Sequence, residues 1–229
     1  MSLILDLLFP GRCLLCGEAL YPQRQPSTPV CPECLGLLRP LEGSRCRRCS
    51  RELVSELELC THCRERSYDF LEHHSLFAYR GRVKELIRQY KFARRRRLAA
   101  LLAALLAGEY MRLFAPSPLV PVPSRPGSRR QGAGNHLELI ARILARAYGI
   151  PVHPVLERTG GLPQKRLGLR ERSSNVRGTI RLKREGRLPW PAAVVMDDVF
   201  TTGATASECA RVLRQAGVEE VRVLTLAMD

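Results

Sequence analysis

Two sets of residues in this sequence have the types and spacing to do chemistry. The first is Ala192–Thr205, AAVVMDDVFTTGAT, which runs apolar, then doubly acidic, then small and hydroxylated. Small residues after Asp197 and Asp198 let backbone N–H groups approach an anion closely. Thr201, Thr202 and Thr205 add hydroxyl donors around Gly203 and Ala204. A helix opening near Ala204 would contribute free N–H groups and the positive end of its dipole. The result is a phosphate cradle beside two carboxylates, which suits a phosphorylated sugar: the loop holds the phosphate, and the acids accept hydrogen bonds from ribose hydroxyls. No Gly-x-x-x-x-Gly-Lys-Ser/Thr occurs, which disfavours a P-loop ATPase.

The second set is four Cys-x-x-Cys pairs: Cys13/Cys16, Cys31/Cys34, Cys46/Cys49 and Cys60/Cys63. Two cysteines at this spacing place both sulfurs on one tetrahedral ion, because the tight turn also aims backbone N–H groups at the thiolates. Two such knuckles close a structural zinc site and leave no open position for catalysis. Eight sulfurs therefore predict two zinc ions in a double zinc ribbon. Sequential pairing of the knuckles is preferred, and a cross-braced pairing fits the same spacings. His62, inside the last knuckle, is read as a bystander. Cys209 stands alone in a helical pattern and is read as a small core residue.

The elements that must position these residues follow from composition and periodicity. The first 70 residues are rich in Pro, Gly, Arg and Cys and need a staple, whereas the rest of the 229-residue chain is long enough to bury its own core. We expect a double zinc ribbon over 1–69 and an α/β domain over 70–229. In the latter, HHSLFAYRG reads as a strand ending in a turn and RVKELIRQYKF as an amphipathic helix carrying Val83, Leu86, Ile87 and Tyr90 on one face. Arg94, Arg95, Arg96 and Arg97 open the next helix, which extends towards Leu113. LVPVPSR reads as a short strand running into a loop, HLELIARILARAYG as a helix closed by Gly149, and PVHPVLERT and GTIRLK as short strands. Gly160 to Arg177 is polar, basic and Gly-rich, a candidate mobile loop. Ala192–Met196 is a central buried strand, Ala204–Ala216 a helix closed by Gly217, and VEEVRVLTLAM a last strand. Alternating strands and helices imply a largely parallel sheet with helices on both faces, and ligands bind at the carboxyl edge of such a sheet.

Charge and hydropathy limit the partners. Against 37 Lys+Arg stand 22 Asp+Glu, a formal charge of +15, which draws polyanions: nucleic acid first, phosphorylated small molecules second. MSLILDLLFPG lacks the basic region and length of a signal peptide, and LAALLAALLA is half a membrane span, so a buried helix is expected and no membrane insertion. We expect a cytoplasmic protein, where a disulfide framework is disfavoured.

Ala192–Thr205 resembles the 5-phosphoribosyl-1-pyrophosphate (PRPP) motif of type I phosphoribosyltransferases. Zinc knuckles followed by YRGRVKELIRQYKF, VPVPSRPGSRRQGAGNHLELIARILA, PQKRLGLRERSSNVRGTI and the PRPP motif resemble the ComF family from end to end. The resemblance implies a type I phosphoribosyltransferase-like parallel sheet flanked by helices, behind the zinc module, and a tie to uptake of single-stranded DNA in natural transformation. It implies that Ser124 and Arg125 help cradle pyrophosphate, and that Gln164 to Arg177 is a mobile hood with Arg170, Asn175 and Arg177 as ligand contacts. The chain departs from the family at Gly132–His136, where Arg-Gly-Phe-Asn-Gln is usual; Asn135 is retained.

Three functions follow as expectations. A DNA-uptake factor would bind single strands through Arg94–Arg97, with Tyr90 and Phe92 stacking on bases. An active phosphoribosyltransferase would bind PRPP with Mg²⁺ bridging pyrophosphate and ribose oxygens. Asp197 and Asp198 would then stabilise positive charge at the anomeric carbon, for transfer to an unknown acceptor. An adaptor would use its zinc ribbon to grip a protein partner, such as a helicase of the uptake machinery.

Overall fold

The structure, a computed structural model, describes residues 11–20, 28–54, 57–93, 95–124, 136–159 and 176–229. The cysteine-rich part holds one small antiparallel pair, β1 (Gly11–Arg12) with β2 (Ala19–Leu20), and two short helices, α1 (Pro32–Gly36) and α2 (Thr61–Arg64). Cys31 and Cys60 stand at the N-caps of these helices, so each helix carries the second cysteine of its own knuckle.

The larger part follows in order as β3 (Glu72–Ala78), α3 (Gly81–Lys91), α4 (Leu98–Leu113), β4 (Leu119–Pro121), α5 (His136–Tyr148), β5 (Leu156–Arg158), β6 (Ile180–Leu182), β7 (Ala192–Phe200), α6 (Ala204–Gln215) and β8 (Glu220–Met228). Four strands form a parallel sheet in the order β3-β8-β7-β4, with β7 and β8 central. Central strands buried on both faces read as unbroken apolar runs, and Ala193 to Met196 are indeed fully buried.

Helix α4 buries Leu98, Leu102 and Leu106 with Ala99, Ala103 and Ala107 between them. The small alanines let it approach its neighbours, and each buried leucine contributes about 2 kcal/mol. This is the buried helix expected from LAALLAALLA; among the described residues no helix is long and apolar enough to cross a membrane.

Three expectations about elements need correcting. The central strand does not stop at Met196 but continues to Phe200, so Asp197 and Asp198 lie within it. The arginines precede α4 instead of opening it, with Arg97 at the N-cap. The short strands expected near residues 151–159 and 178–183 lie outside the parallel sheet as the antiparallel pair β5–β6, and Val152 makes a single parallel bridge to Leu119.

The second half of the cysteine-rich part lies along the β3 edge. The His73 N–H donates to the Arg47 carbonyl at 2.8 Å, the Leu41 N–H donates to the Leu76 carbonyl at 2.8 Å, and Pro40 bridges Phe77. An exposed strand edge is a template for unwanted pairing, and here the ribbon covers it.

Candidate functional site

The eight cysteines form two clusters, Cys13/Cys16/Cys31/Cys34 and Cys46/Cys49/Cys60/Cys63, with the sulfurs of each cluster within 4.8 Å of one another. The pairing is sequential, and the cross-braced alternative is excluded. Four sulfurs about 2.3 Å from one zinc ion would be about 3.8 Å apart. Cys16 and Cys31 have their Sγ atoms at 3.7 Å, as do Cys49 and Cys60. One thiol in each cluster is also prepared to ionise, whereas burial pushes those of Cys31, Cys34, Cys49 and Cys63 up. Burial pushes the Cys13 thiol up, but backbone N–H groups of Cys16, Cys31 and Leu15 outweigh it and bring the pKa down to about 6. Cys46 falls to about 7 by the same balance, its burial being offset by N–H groups of Cys60, Arg48 and Cys49. The residues fit two structural zinc ions. His62 is exposed and outside both clusters, and Cys209 is fully buried, as expected.

At the carboxyl edge of the sheet, β7 delivers Asp197 and Asp198, Thr201 to Gly203 form the loop, and α6 begins at Ala204. Gly203 is at φ +75°, and a Cβ on it would meet Phe200 Cζ at 2.6 Å and Tyr68 Cε1 at 2.8 Å. Only glycine satisfies both the left-handed backbone and the close approach. No side chain caps α6 at Gly203; the Ala204 N–H meets Thr202 Oγ1 at 3.4 Å. An uncapped helix start leaves first-turn N–H groups for an anion. Thr201 is exposed, and Thr202 and Thr205 are half-buried.

The two acids lie on opposite faces of the sheet, because side chains alternate along a strand. Asp198 faces α3 and α5: its Oδ2 lies 2.6 Å from Lys91 Nζ and 3.7 Å from His136 Nε2. Tyr90 donates its hydroxyl to the His136 carbonyl at 2.7 Å. Asp197 faces α6, close enough that its charge helps raise the pKa of the buried Cys209 thiol, after burial itself. Asp197 Oδ1 accepts the Asp198 N–H at 2.8 Å. The residue keeps some exposure, but burial of its carboxyl and the charge of Asp198 push its pKa up to about 7. The pair therefore straddles the strand.

Ser124 is half-buried three residues beyond β4, on the same carboxyl edge, since Pro121 is in register with Met196. Arg125, Asn135, Arg170, Asn175 and Arg94 lie outside the described residues, whereas Arg177 is exposed. Arg95, Arg96 and Arg97 are exposed, and so is Phe92, at 75%. Tyr90 is not available for stacking on bases: it is 5% exposed and its hydroxyl is engaged by His136.

Sequence reasoning missed Lys91, His136, Tyr68 and Glu208. Lys91 follows the apolar stripe of α3 by one residue, and that position beside the core face was its only signal. Glu208 is 4% exposed on α6, where its carboxylate accepts the Gly178 N–H at 2.7 Å and two bonds from Arg211 at 2.8 Å. It ties the turn before β6 to the helix that follows the Thr201–Gly203 loop.

The fold and site define an α/β protein, a parallel sheet whose central strand runs through two acids into a Thr/Gly loop and a helix, joined to an N-terminal double zinc ribbon. The double zinc ribbon domain family matches residues 4–64. Along most of its length the chain is similar to proteins named as competence and DNA utilization proteins. It is 26% identical over 220 residues to Competence protein F of Haemophilus influenzae, spanning 86% of this chain and 96% of that protein. DNA utilization protein YhgH of Escherichia coli (strain K12) is 26% identical over 230 residues, 96% and 98% of the two chains. Competence protein ComFC of Streptococcus pneumoniae is 23% identical over 227 residues, 94% and 99%. Among solved structures, Leishmania donovani UMP synthase aligns with 61% of this chain and 24% of that one, at 18% identity and a TM-score of 0.33. That likeness is slight.

Proposed function

We propose that this chain is a cytoplasmic DNA-uptake protein that binds PRPP with Mg²⁺ at the carboxyl edge of its sheet and single-stranded DNA on an adjoining basic surface. The zinc module would span 1–69 and the PRPP-binding domain 70–229. The observation that carries the reading is the strand–loop–helix unit itself: Asp197 and Asp198 lead into Thr201–Thr205, where Gly203 is required and α6 is uncapped. The loop would take the 5-phosphate, Ser124 and Arg125 the pyrophosphate, and the acids the ribose and its Mg²⁺-bound face.

For DNA, the supporting feature is where the arginines stand. Arg97 is the N-cap of α4, and no acid occupies the first turn. Positive charge at the positive end of a helix dipole is unfavourable by roughly 0.3–1 kcal/mol per residue at low salt. Helix formation does not explain the run, whereas phosphate contacts beside the exposed Phe92 do.

Lys91 and His136 around Asp198 favour a second reading, an active phosphoribosyltransferase, since the Lys91 ammonium and the His136 imidazole there could follow departing pyrophosphate. Its acceptor is not identified. A third, adaptor reading draws on Leu37, Val54 and Leu57, apolar residues left exposed on the ribbon, as a grip for a protein partner such as a helicase.

Titration of the whole chain with PRPP-Mg²⁺, with and without single-stranded DNA and with assay of released pyrophosphate, tests these readings. We expect saturable PRPP binding that Asp197→Ala with Asp198→Ala abolishes. Unaltered transformation by that double variant would reduce the pocket to scaffolding. Pyrophosphate release would establish turnover.

A further inference from the structure

Arg48 lies between Cys46 and Cys49, inside the second cysteine cluster, yet its guanidinium reaches the segment that joins ribbon to sheet. Its Nη1 donates to the carbonyls of Tyr68 at 3.3 Å and Phe70 at 3.2 Å. Three consecutive residues of that segment hold the phosphate loop and the helix behind it. The Tyr68 hydroxyl donates to the Thr202 carbonyl at 3.4 Å, and its ring occupies the side where Gly203 has no Cβ. The Asp69 N–H donates to Ser207 Oγ at 3.0 Å, and the Asp69 carboxylate accepts from that hydroxyl at 2.8 Å, gripping the first turn of α6. Phe70, 2% exposed, meets Phe200 edge to face with centroids 6.1 Å apart.

A second route starts from Ser50, the residue after Cys49. Its hydroxyl donates to the His73 carbonyl at 2.7 Å and accepts the Ser75 N–H at 3.1 Å. The buried His73 ring stacks on Phe200 at 4.0 Å and reaches Thr225 Oγ1 at 2.8 Å. Phe200 in turn presses on Gly203. Both routes run from the second cysteine cluster to the residues that shape the loop.

We propose that the second zinc ribbon is the back support of the phosphate loop, with Arg48 and Tyr68 as positioning residues that hold Thr202 and Gly203 in their anion-binding shape. The identity of the ligand, a sugar phosphate, rests on the reading above; the support does not. A loop of small residues makes few contacts of its own, so ordering it would be charged against ligand affinity unless something external held it. The ribbon supplies that hold and gives the zinc module a task within the binding site.

The test compares the whole chain with Arg48→Gln, Arg47→Gln and Tyr68→Leu. Three quantities are measured: zinc per chain, hydrogen exchange of the amides at 200–208, and affinity for PRPP-Mg²⁺. Arg47 lies in the same knuckle, but its side chain is exposed and pairs with Glu58 at 3.4 Å, so its substitution controls for lost charge. We expect Arg48→Gln and Tyr68→Leu to keep two zinc ions, to exchange faster at 200–208, and to bind PRPP-Mg²⁺ about tenfold more weakly. Arg47→Gln should match the parent in all three. Wild-type exchange in a zinc-replete Arg48→Gln chain would overturn the proposal. Should Arg48→Gln lose zinc, Tyr68→Leu decides alone, and wild-type exchange in that variant is equally fatal. Faster exchange in a chain whose parent does not bind PRPP-Mg²⁺ would uphold the support and sink the sugar-phosphate reading instead.

Discussion

Asp197 and Asp198 are neighbours in sequence and meet different surroundings. Asp198 is held by Lys91 and His136, whereas Asp197 is pushed up to about 7 by burial and by the charge of Asp198. Its reference value is 3.8, so between about pH 4 and pH 7 the folded chain holds a proton that the unfolded chain has released. Stability from this group is complete below the lower value and is lost as pH rises through the upper one. Asp197→Asn should therefore raise the unfolding midpoint at pH 8 and leave it unchanged at pH 4, measured by thermal melts. The same substitution should weaken PRPP-Mg²⁺ binding at pH 8. A site that is stabilised by losing its carboxylate keeps that carboxylate for function. An identical midpoint for parent and variant at pH 8 would remove this account of Asp197.

At the scale of elements, α3 links the two proposed ligand surfaces. Its last residue, Lys91, pairs with Asp198; the next, Phe92, is exposed, and the arginines follow before α4. Asp198 is 9% exposed, so removing Lys91 leaves a buried carboxylate without its 2.6 Å ion-pair partner, with His136 farther off at 3.7 Å. Lys91→Met should cost about 3 kcal/mol in urea denaturation. Adding Asp198→Asn to Lys91→Met should recover most of that loss, because the unpaired charge is then gone. The sequence made α3 legible through Val83, Leu86, Ile87 and Tyr90, all of which are buried. It did not make Lys91 legible, because a lysine beside an apolar stripe is the ordinary pattern of a solvated helix flank. Strand β7 was legible as far as Met196 for a similar reason: two acids read as a strand end, whereas pairing with β8 carries the strand on to Phe200.

For the whole molecule, a charge of +15 supplies long-range attraction to any polyanion, but attraction alone does not locate a surface. The basic segment before α4 is the surface proposed for it. Replacing Arg94–Arg97 by Gln should weaken single-stranded DNA binding and flatten its salt dependence. The slope of log K against log salt should fall by about 0.7 for each arginine that had met a phosphate, so by about 2–3 for the run. Filter binding at several salt concentrations measures this, and an unchanged slope would move the DNA surface elsewhere. The ribbon belongs to the same scale, since its second half covers the β3 edge and reaches, through Arg48, to the segment behind the Thr201–Gly203 loop.

What the sequence determined by itself is local: knuckles at Cys-x-x-Cys spacing, an acid pair running into a Thr/Gly loop, helical stripes, and the parallel alternation of strands and helices. Each depends on residues a few positions apart, where covalent geometry and backbone preference act directly. The tertiary structure decided what joins distant residues. It paired the knuckles sequentially, sent Asp197 and Asp198 to opposite faces, buried Tyr90 while exposing Phe92, and brought Arg48, Tyr68 and Thr202 into one line of contacts. Those outcomes depend on packing between elements far apart in sequence, as with His73 and Thr225, 152 residues apart. No pattern along the chain encodes which side chain meets which until the sheet has set their distances.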